Sequence, residues 1–191
     1  MLSKLFPHVD YSKIQYDSEG IFSITHPDDA ETISKLIMGM FENYSNISIL
    51  DGTGGLGGNT ISFSKYFKNI TSIELNKERC DMLENNVKLF NLLNVTVVNT
   101  NSVKYMYENL LKYDVYFFDP PWGGPDYKKQ INLILKIDLI ELNTIVDNII
   151  KQTSNKLIIF KLPFNYDFDQ FSNYNYKLYK VNKYYIIIIL L

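Results

Sequence analysis

Short apolar runs alternate with amphipathic stretches along most of the chain, and this alternation restricts it to few architectures. The runs 47–51, 70–74, 95–99, 115–119 and 157–162 are apolar or β-branched, as strands buried on both faces are. Between them, Ile33, Leu36, Ile37, Met40 and Phe41 form one helical stripe. Met82, Leu83, Val87 and Phe90 form a second, and Leu142, Ile145, Val146, Ile149 and Ile150 a third. Thr25, Pro27, Asp28 and Asp29 mark the start of the first helix, and Asn76 is placed to cap the second. The pattern predicts an α/β fold, a doubly wound Rossmann-like sheet of mostly parallel strands. Runs 174–180 and 184–191 follow with only Val181, Asn182 and Lys183 between them, too little for a crossover helix. They are expected to pair as a C-terminal antiparallel hairpin, so that the sheet ends with an antiparallel strand.

Composition narrows the function. The chain has 191 residues, a length that suits one domain, and 19 basic against 21 acidic residues leave a net charge of −2. That charge does not supply the broad positive field with which proteins coat long nucleic acids. The longest apolar run, 184–191, is far shorter than the roughly 20 residues of a membrane span, and no signal-peptide core opens the chain, so a soluble, intracellular protein is expected. Cys80 is the sole cysteine and His8 and His26 are the only histidines, so no metal site is expected. His26 before Pro27 reads as helix-start chemistry, and Cys80 beside an apolar stripe as packing.

Five of the seven positions from Gly52 to Gly58 are glycine, and Gly52, Gly54 and Gly57 satisfy G-x-G-x-x-G between the first strand and a helix. Such a loop lets backbone N–H groups approach a ligand closely. Asp51 immediately before it would repel a pyrophosphate but attract the amino group of a methionine moiety, which favours S-adenosylmethionine over a nicotinamide dinucleotide. Glu74 closes the second strand about 20 residues later, near the spacing at which an acid accepts both ribose hydroxyls. Asn101, after the third strand, carries the donor and acceptor needed by an adenine edge; the competing reading is a helix cap.

The fourth strand ends in Asp119-Pro120-Pro121-Trp122-Gly123-Gly124-Pro125-Asp126-Tyr127, at the edge where open α/β sheets bind ligands. The two prolines fix φ and remove two donors, leaving acceptor-only carbonyls. Asp119 and the Pro120 carbonyl can therefore orient an amine whose hydrogens need acceptors. Trp122, flanked by glycine, is expected to offer an open indole face to a stacked base, worth about 1–3 kcal/mol. A cationic base would gain a further cation–π attraction of about 0.5–2 kcal/mol.

Residues 120–127 closely resemble the signature of the trimethylguanosine synthases, the RNA cap guanosine-N2 methyltransferases. The resemblance extends to Gly57-Gly58-Asn59-Thr60, to Leu5-Phe6, and to residues 17–25, where the family typically reads D-x-E-G-W-F/Y-S-V-T. Five parallel strands with a terminal hairpin are also how class I methyltransferase domains are built. The resemblance implies transfer of methyl groups from S-adenosylmethionine to the exocyclic N2 of a 7-methylguanosine RNA cap, giving di- or trimethylguanosine. It divides the chain into a short closing segment, 1–25, and a methyltransferase domain, 26–191. Trp122 would stack on the methylated base beside Asp119 and Pro120, with Tyr127 and Lys128 also on the substrate. Phe22 to Thr25 would help close a cofactor pocket that includes Asp51, Gly52, Gly54, Glu74 and Asn101.

The chain departs from the family in Gln15, commonly Lys, and Phe164, commonly Arg, two positions associated with the cap phosphates; Lys4, Lys13, Lys128 and Lys129 are the candidate replacements. Ile21 replaces the usual Trp, and Asp119 stands where some members have Ser. Two other readings stay open. Asp-Pro-Pro-Trp also occurs in adenine-N6 methyltransferases, which would explain residues 119–122 but not 123–127 or 22–25. The lost basic residues also suit a catalytically silent subunit, against which the retention of Asp51, Glu74 and Asp119 counts. An acceptor panel separates the first from cap methylation, and a cofactor-binding titration separates the second.

Overall fold

The computed structural model of the protein describes residues 2–191. Strands β1 (Ser48–Asp51), β2 (Asn69–Glu74), β3 (Val95–Asn99), β4 (Val115–Phe118) and β5 (Leu157–Pro163) pair in parallel in the order β3-β2-β1-β4-β5. β6 (Tyr176–Val181) and β7 (Tyr184–Leu190) form the expected hairpin, with Asn182 turning at φ 53°. Asparagine tolerates that left-handed conformation better than most residues. β7 inserts between β5 and β6, antiparallel to both. The antiparallel strand is thus one place in from the edge rather than last. Its four consecutive isoleucines, Ile186 to Ile189, are fully buried, as an interior position requires, while β6 presents Lys177 and Lys180 at an edge that charge protects from further pairing.

Among the described residues seven α-helices accompany the sheet: α1 (Leu2–Leu5), α2 (Ser18–Ser23), α3 (Pro27–Met38), α4 (Gly58–Phe63), α5 (Lys77–Leu89), α6 (Ser102–Glu108) and α7 (Leu142–Ile150). Alternate strand residues divide between two cores. Leu50, Tyr116, Phe118, Ile158 and Phe160 pack with Val103 and Met106 of α6 and Leu142, Ile145, Val146 and Ile149 of α7. Ile49, Phe117, Ile159 and Ile186 pack on the other face with Ile33 and Ile37 of α3 and Phe63 of α4. The helix α3 ends at Met38, so Met40 and Phe41 lie beyond it, although both pack on that second core. Its cap is His26, whose Nδ1 accepts from the Asp28 N–H; Thr25 instead turns inward.

The N-terminal segment is fastened along α5. Phe6, Ile14 and Leu56 form a third cluster, and the buried Asn86 accepts from the Gln15 N–H at 3.0 Å while donating to the Gln15 and Leu56 carbonyls. Arg79, the single arginine of the chain, reaches Asp17 at 2.8 Å and Glu19 at 2.7 Å. Among the described residues no helix is long and apolar enough to cross a membrane.

Candidate active site

The C-terminal ends of β1, β2 and β4 converge on the glycine loop. Gly57 opens α4 at φ 102°, and a Cβ on Gly54 would stand 2.4 Å from Ser72 Oγ and 2.7 Å from Leu83, so neither position accommodates a side chain without rearrangement. Asp51 is buried and accepts hydrogen bonds from Thr60 Oγ1 at 2.6 Å and the Thr53 N–H at 3.3 Å. Burial pushes its carboxyl up to about 6; the hydrogen bonds from Thr60 and Thr53 oppose the shift, and the nearby Asp119 and Glu74 charges add to it. Glu74 accepts from the Gly55 N–H at 3.0 Å through Oε2 and from the Asn76 N–H at 2.9 Å through Oε1. A carboxylate has about four acceptor positions, so each oxygen keeps one for a ligand hydroxyl. The Asn101 Oδ1 caps α6 by accepting from the Lys104 N–H at 2.8 Å, so an adenine contact would have to share that oxygen.

The proline loop is tied directly to the glycine loop, since the Asp119 N–H donates to Thr53 Oγ1 at 2.7 Å. Asp119 Oδ2 accepts from Lys161 Nζ at 2.6 Å and from Thr25 Oγ1 at 3.5 Å, and Lys161 also donates to Thr25 Oγ1 at 3.0 Å. Thr25 Oγ1 accepts a further hydrogen bond from Asn59 Nδ2 at 3.1 Å. Burial raises the Asp119 carboxyl, and the Lys161 ammonium and the Thr25 hydroxyl pull it back down. Lys161 is absent from the expectations read off the sequence, yet it left a signal there. A lysine inside an apolar run buried on both faces must find a partner, because an unpaired buried charge is prohibitively costly.

Trp122 departs from the open platform expected of it. Its indole is half-buried and packs against both main cores, with the rings of Tyr127 and Tyr184 edge-on at 5.1 and 6.3 Å and Lys161 Nζ at 5.3 Å. Its Nε1–H is buried without a partner. Apolar neighbours on two sides draw the ring inward, while Gly123 and Gly124, at φ 89° and 72° with open space around them, let the chain turn there. Phe22 is 72% exposed. Of the expected phosphate lysines, Lys13 and Lys129 are already paired with Asp10 and Asp126. Lys128 lies near Tyr127 and lines a cavity of about 420 Å³ together with Phe164, Lys180, Lys183 and Tyr184. Lys180 and Lys183, at the hairpin turn, were not among the candidates read from sequence. Among the described residues no group of His, Cys, Asp or Glu is placed to hold a metal ion.

Residues 46–189 match the profile of the RNA cap guanine-N2 methyltransferases. The chain belongs to this family. It is 38% identical to an uncharacterised protein of Acanthamoeba polyphaga mimivirus, covering 91% of this chain and 75% of that one. It is 26% identical to the trimethylguanosine synthase of Saccharomyces cerevisiae, over 88% of this chain but only 54% of the yeast protein. It is 30% identical to the ribosomal RNA small subunit methyltransferase D of Buchnera aphidicola from Acyrthosiphon pisum, over 61% of this chain and 60% of that one. The fold matches that of the precorrin-6y C5,15-methyltransferase of Geobacter metallireducens, with a TM-score of 0.63 at 16% identity over 93% and 94% of the two chains. The family match thus begins after the Asp17 to Thr25 segment, whose resemblance rests on its own residues.

Membership fixes the chemistry at its coarser level: the protein is a class I methyltransferase whose cofactor is S-adenosylmethionine. The donor set fits that group. A buried acid at the end of β1 suits a cationic amine, and an acid at the end of β2 with acceptor capacity to spare suits a pair of hydroxyls.

Proposed function

We propose that this family member methylates the exocyclic N2 of a 7-methylguanosine RNA cap. The observation that carries the reading is the hydrogen bond from the Asp119 N–H to Thr53, which joins the cofactor loop to the Pro120-Pro121-Trp122 loop and so sets an amine acceptor beside the methyl donor. In this reading Asp51 holds the amino group of the methionine moiety, Glu74 the ribose, and Phe22, Thr25, Gly52, Gly54 and Asn101 complete the cofactor pocket. When bound, the cofactor supplies a methyl carbon already activated by the sulfonium, with the carbon–sulfur bond breaking as carbon–nitrogen forms. The protein's task is alignment.

Asp119 and the Pro120 carbonyl accept the hydrogens of the acceptor amine, and the proton displaced from nitrogen leaves by way of the Asp119 carboxylate. Trp122 swings from its half-buried position to stack on the base. A buried indole N–H without a partner costs about 1–3 kcal/mol, which favours that release, and a cationic 7-methylguanine rewards it. Tyr127 borders both the indole and the lysine-lined cavity, which gives Lys128, Lys180 and Lys183 access to the cap phosphates in place of the bases missing at Gln15 and Phe164. Residues 1–25 act as the closing segment over the 26–191 domain.

The likeness to a ribosomal RNA methyltransferase favours a second reading, in which the acceptor is a base within a folded RNA. One experiment separates the two. The protein is incubated with S-adenosylmethionine and, in parallel, a 7-methylated cap dinucleotide, the unmethylated cap, an adenine oligonucleotide and a ribosomal RNA fragment, and the products are read by mass. Methylation of the 7-methylated cap alone is expected; methylation of the ribosomal fragment alone would replace the cap reading.

A further inference from the structure

The buried ion pair at the acceptor site has a role beyond satisfying two charges. Lys161 stands on β5 opposite Ile186 of β7, among residues that are otherwise apolar, and is 5% exposed. A well-packed apolar side chain would serve stability at least as well, because desolvating an ion pair commonly cancels its attraction. What a lysine adds is geometry. Its ammonium has three protons: one goes to Asp119 Oδ2 at 2.6 Å, one to Thr25 Oγ1 at 3.0 Å, and the nitrogen sits 5.3 Å from the Trp122 ring and 4.7 Å from the Tyr184 ring. All the partners of the Asp119 carboxylate among the described residues fall on Oδ2. The side chain keeps 16% of its surface exposed.

We propose, resting on the reading of Asp119 as the amine acceptor, that Lys161 is a positioning residue for methyl transfer: with Thr25 it holds Oδ2 so that Oδ1 faces the acceptor amine. The titratable groups that face Asp119 from neighbouring elements are Lys161 on β5, Asp51 on β1, and the neutral Tyr184 hydroxyl on β7, which Asp29 of α3 also approaches. Lys161 is the one cation in this set. Without it, Asp119 would be a desolvated carboxyl beside another acid and would bind a proton at higher pH, converting the acceptor into a donor that repels the N–H groups it should receive.

The test compares Lys161→Met, Asp119→Asn and the double variant with the wild type. The readouts are kcat and KM for the 7-methylated cap dinucleotide across pH, cofactor affinity by calorimetry, and the titration of the Asp119 carboxyl followed by carbon NMR in the absence of acceptor. Lys161→Met is expected to lower kcat by about 10- to 100-fold, the range typical of partners that orient a functional group. Cofactor affinity stays within about twofold, and the acid limb of the kcat profile and the Asp119 titration both move to higher pH. The double variant, which carries no unpaired charge, should recover thermal stability without recovering kcat. Unchanged kcat and pH profile in Lys161→Met would overturn the proposal, as would full recovery of kcat in the double variant, since that would leave Lys161 a structural role alone. Failure of the wild type on every cap acceptor would remove the cap reading by itself. The Asp119 titration, read without acceptor, would still decide the coupling, and an unmoved titration in Lys161→Met would refute it.

Discussion

On the side of the site proposed to hold the cofactor, Asp51 and Glu74 each accept two hydrogen bonds from within the protein, and Gly52 and Gly54 between them pack closely against Phe118, Ser72 and Leu83. On the acceptor side, Trp122 keeps a buried N–H without a partner, Gly123 and Gly124 have nothing around them, and Phe22 and Phe164 stand exposed. The two regions share one hydrogen-bonded sheet and are joined directly from the Asp119 N–H to Thr53 and from the Thr25 hydroxyl to Asp119, yet one has its polar groups satisfied from within the protein and the other leaves its indole N–H without a partner. The contrast has a physical cause. Asp51 and Glu74 sit on strand ends whose register the sheet fixes, whereas Trp122 sits on a loop followed by two positive-φ glycines with no side chains to hold it.

The sharpest way to break this comparison is at Asp51. Asp51→Asn should weaken S-adenosylmethionine binding by about 2–5 kcal/mol, since it removes one partner of a buried charge contact, with no change in the acceptor loop; a titration that finds wild-type affinity would show that the rigid side is not the cofactor side. Next in size, Trp122→Ala should lower kcat/KM for the 7-methylated cap by about 1–3 kcal/mol, or about 5- to 150-fold, while cofactor affinity stays near normal. Loss of cofactor affinity in that variant would mean that the two sides are not separable. Replacing Lys128, Lys180 and Lys183 with alanine should cost about 0.5–1 kcal/mol per lysine in KM at low salt and flatten its salt dependence, while 7-methylguanosine without phosphates is bound as before.

Acidity sharpens the comparison further. The Asp51 carboxyl is held near 6 in the folded protein against about 4 in an unfolded chain, so the native state takes up its proton first. Without cofactor, this group therefore makes the protein less stable as pH rises from about 4 to about 6, where the unfolded chain's carboxyl ionises while the buried one keeps its proton. If Asp51 holds the cofactor amine as proposed, binding draws on the ionised form, and affinity should rise across the same window. The rise in melting temperature on adding S-adenosylmethionine should be large at pH 7.5 and small at pH 5; an equal rise at both would exclude Asp51 from the contact. The smallest effect is expected at Arg79→Ala, which releases Asp17 and Glu19 and should lower the melting temperature by about 2–4 °C, corresponding to about 1 kcal/mol, with the chemistry of the assembled site otherwise intact.

Much of this molecule is local in origin. The five parallel strands, the hairpin, the Asn76 cap and the helices α3, α5 and α7 follow from periodicity and turn chemistry within windows of about a dozen residues. So does the glycine loop between strand and helix, because only residues without a side chain satisfy its turn and its close approach to Ser72. The same windows misplace what depends on competition. Asn101 could cap a helix or meet a base, and in the folded chain the cap has its oxygen. Thr25 reads as part of a helix start, but His26 takes that place, and the threonine hydroxyl serves the Lys161–Asp119 pair. Trp122, followed by two glycines, reads as an open platform, but the cores on either side draw it in.

By itself, then, the sequence determined the alternation of elements, the edge of the sheet at which a ligand binds, and the residue types available there, since each depends on neighbours along the chain. The tertiary structure alone decided that β7 lies inside β6, that Lys161 meets Asp119 and Thr25 from a distant strand, and that Trp122 waits half-buried. Those outcomes are set by desolvation and packing between segments far apart in sequence, where a buried charge or an apolar face is satisfied only by whatever the completed sheet places beside it.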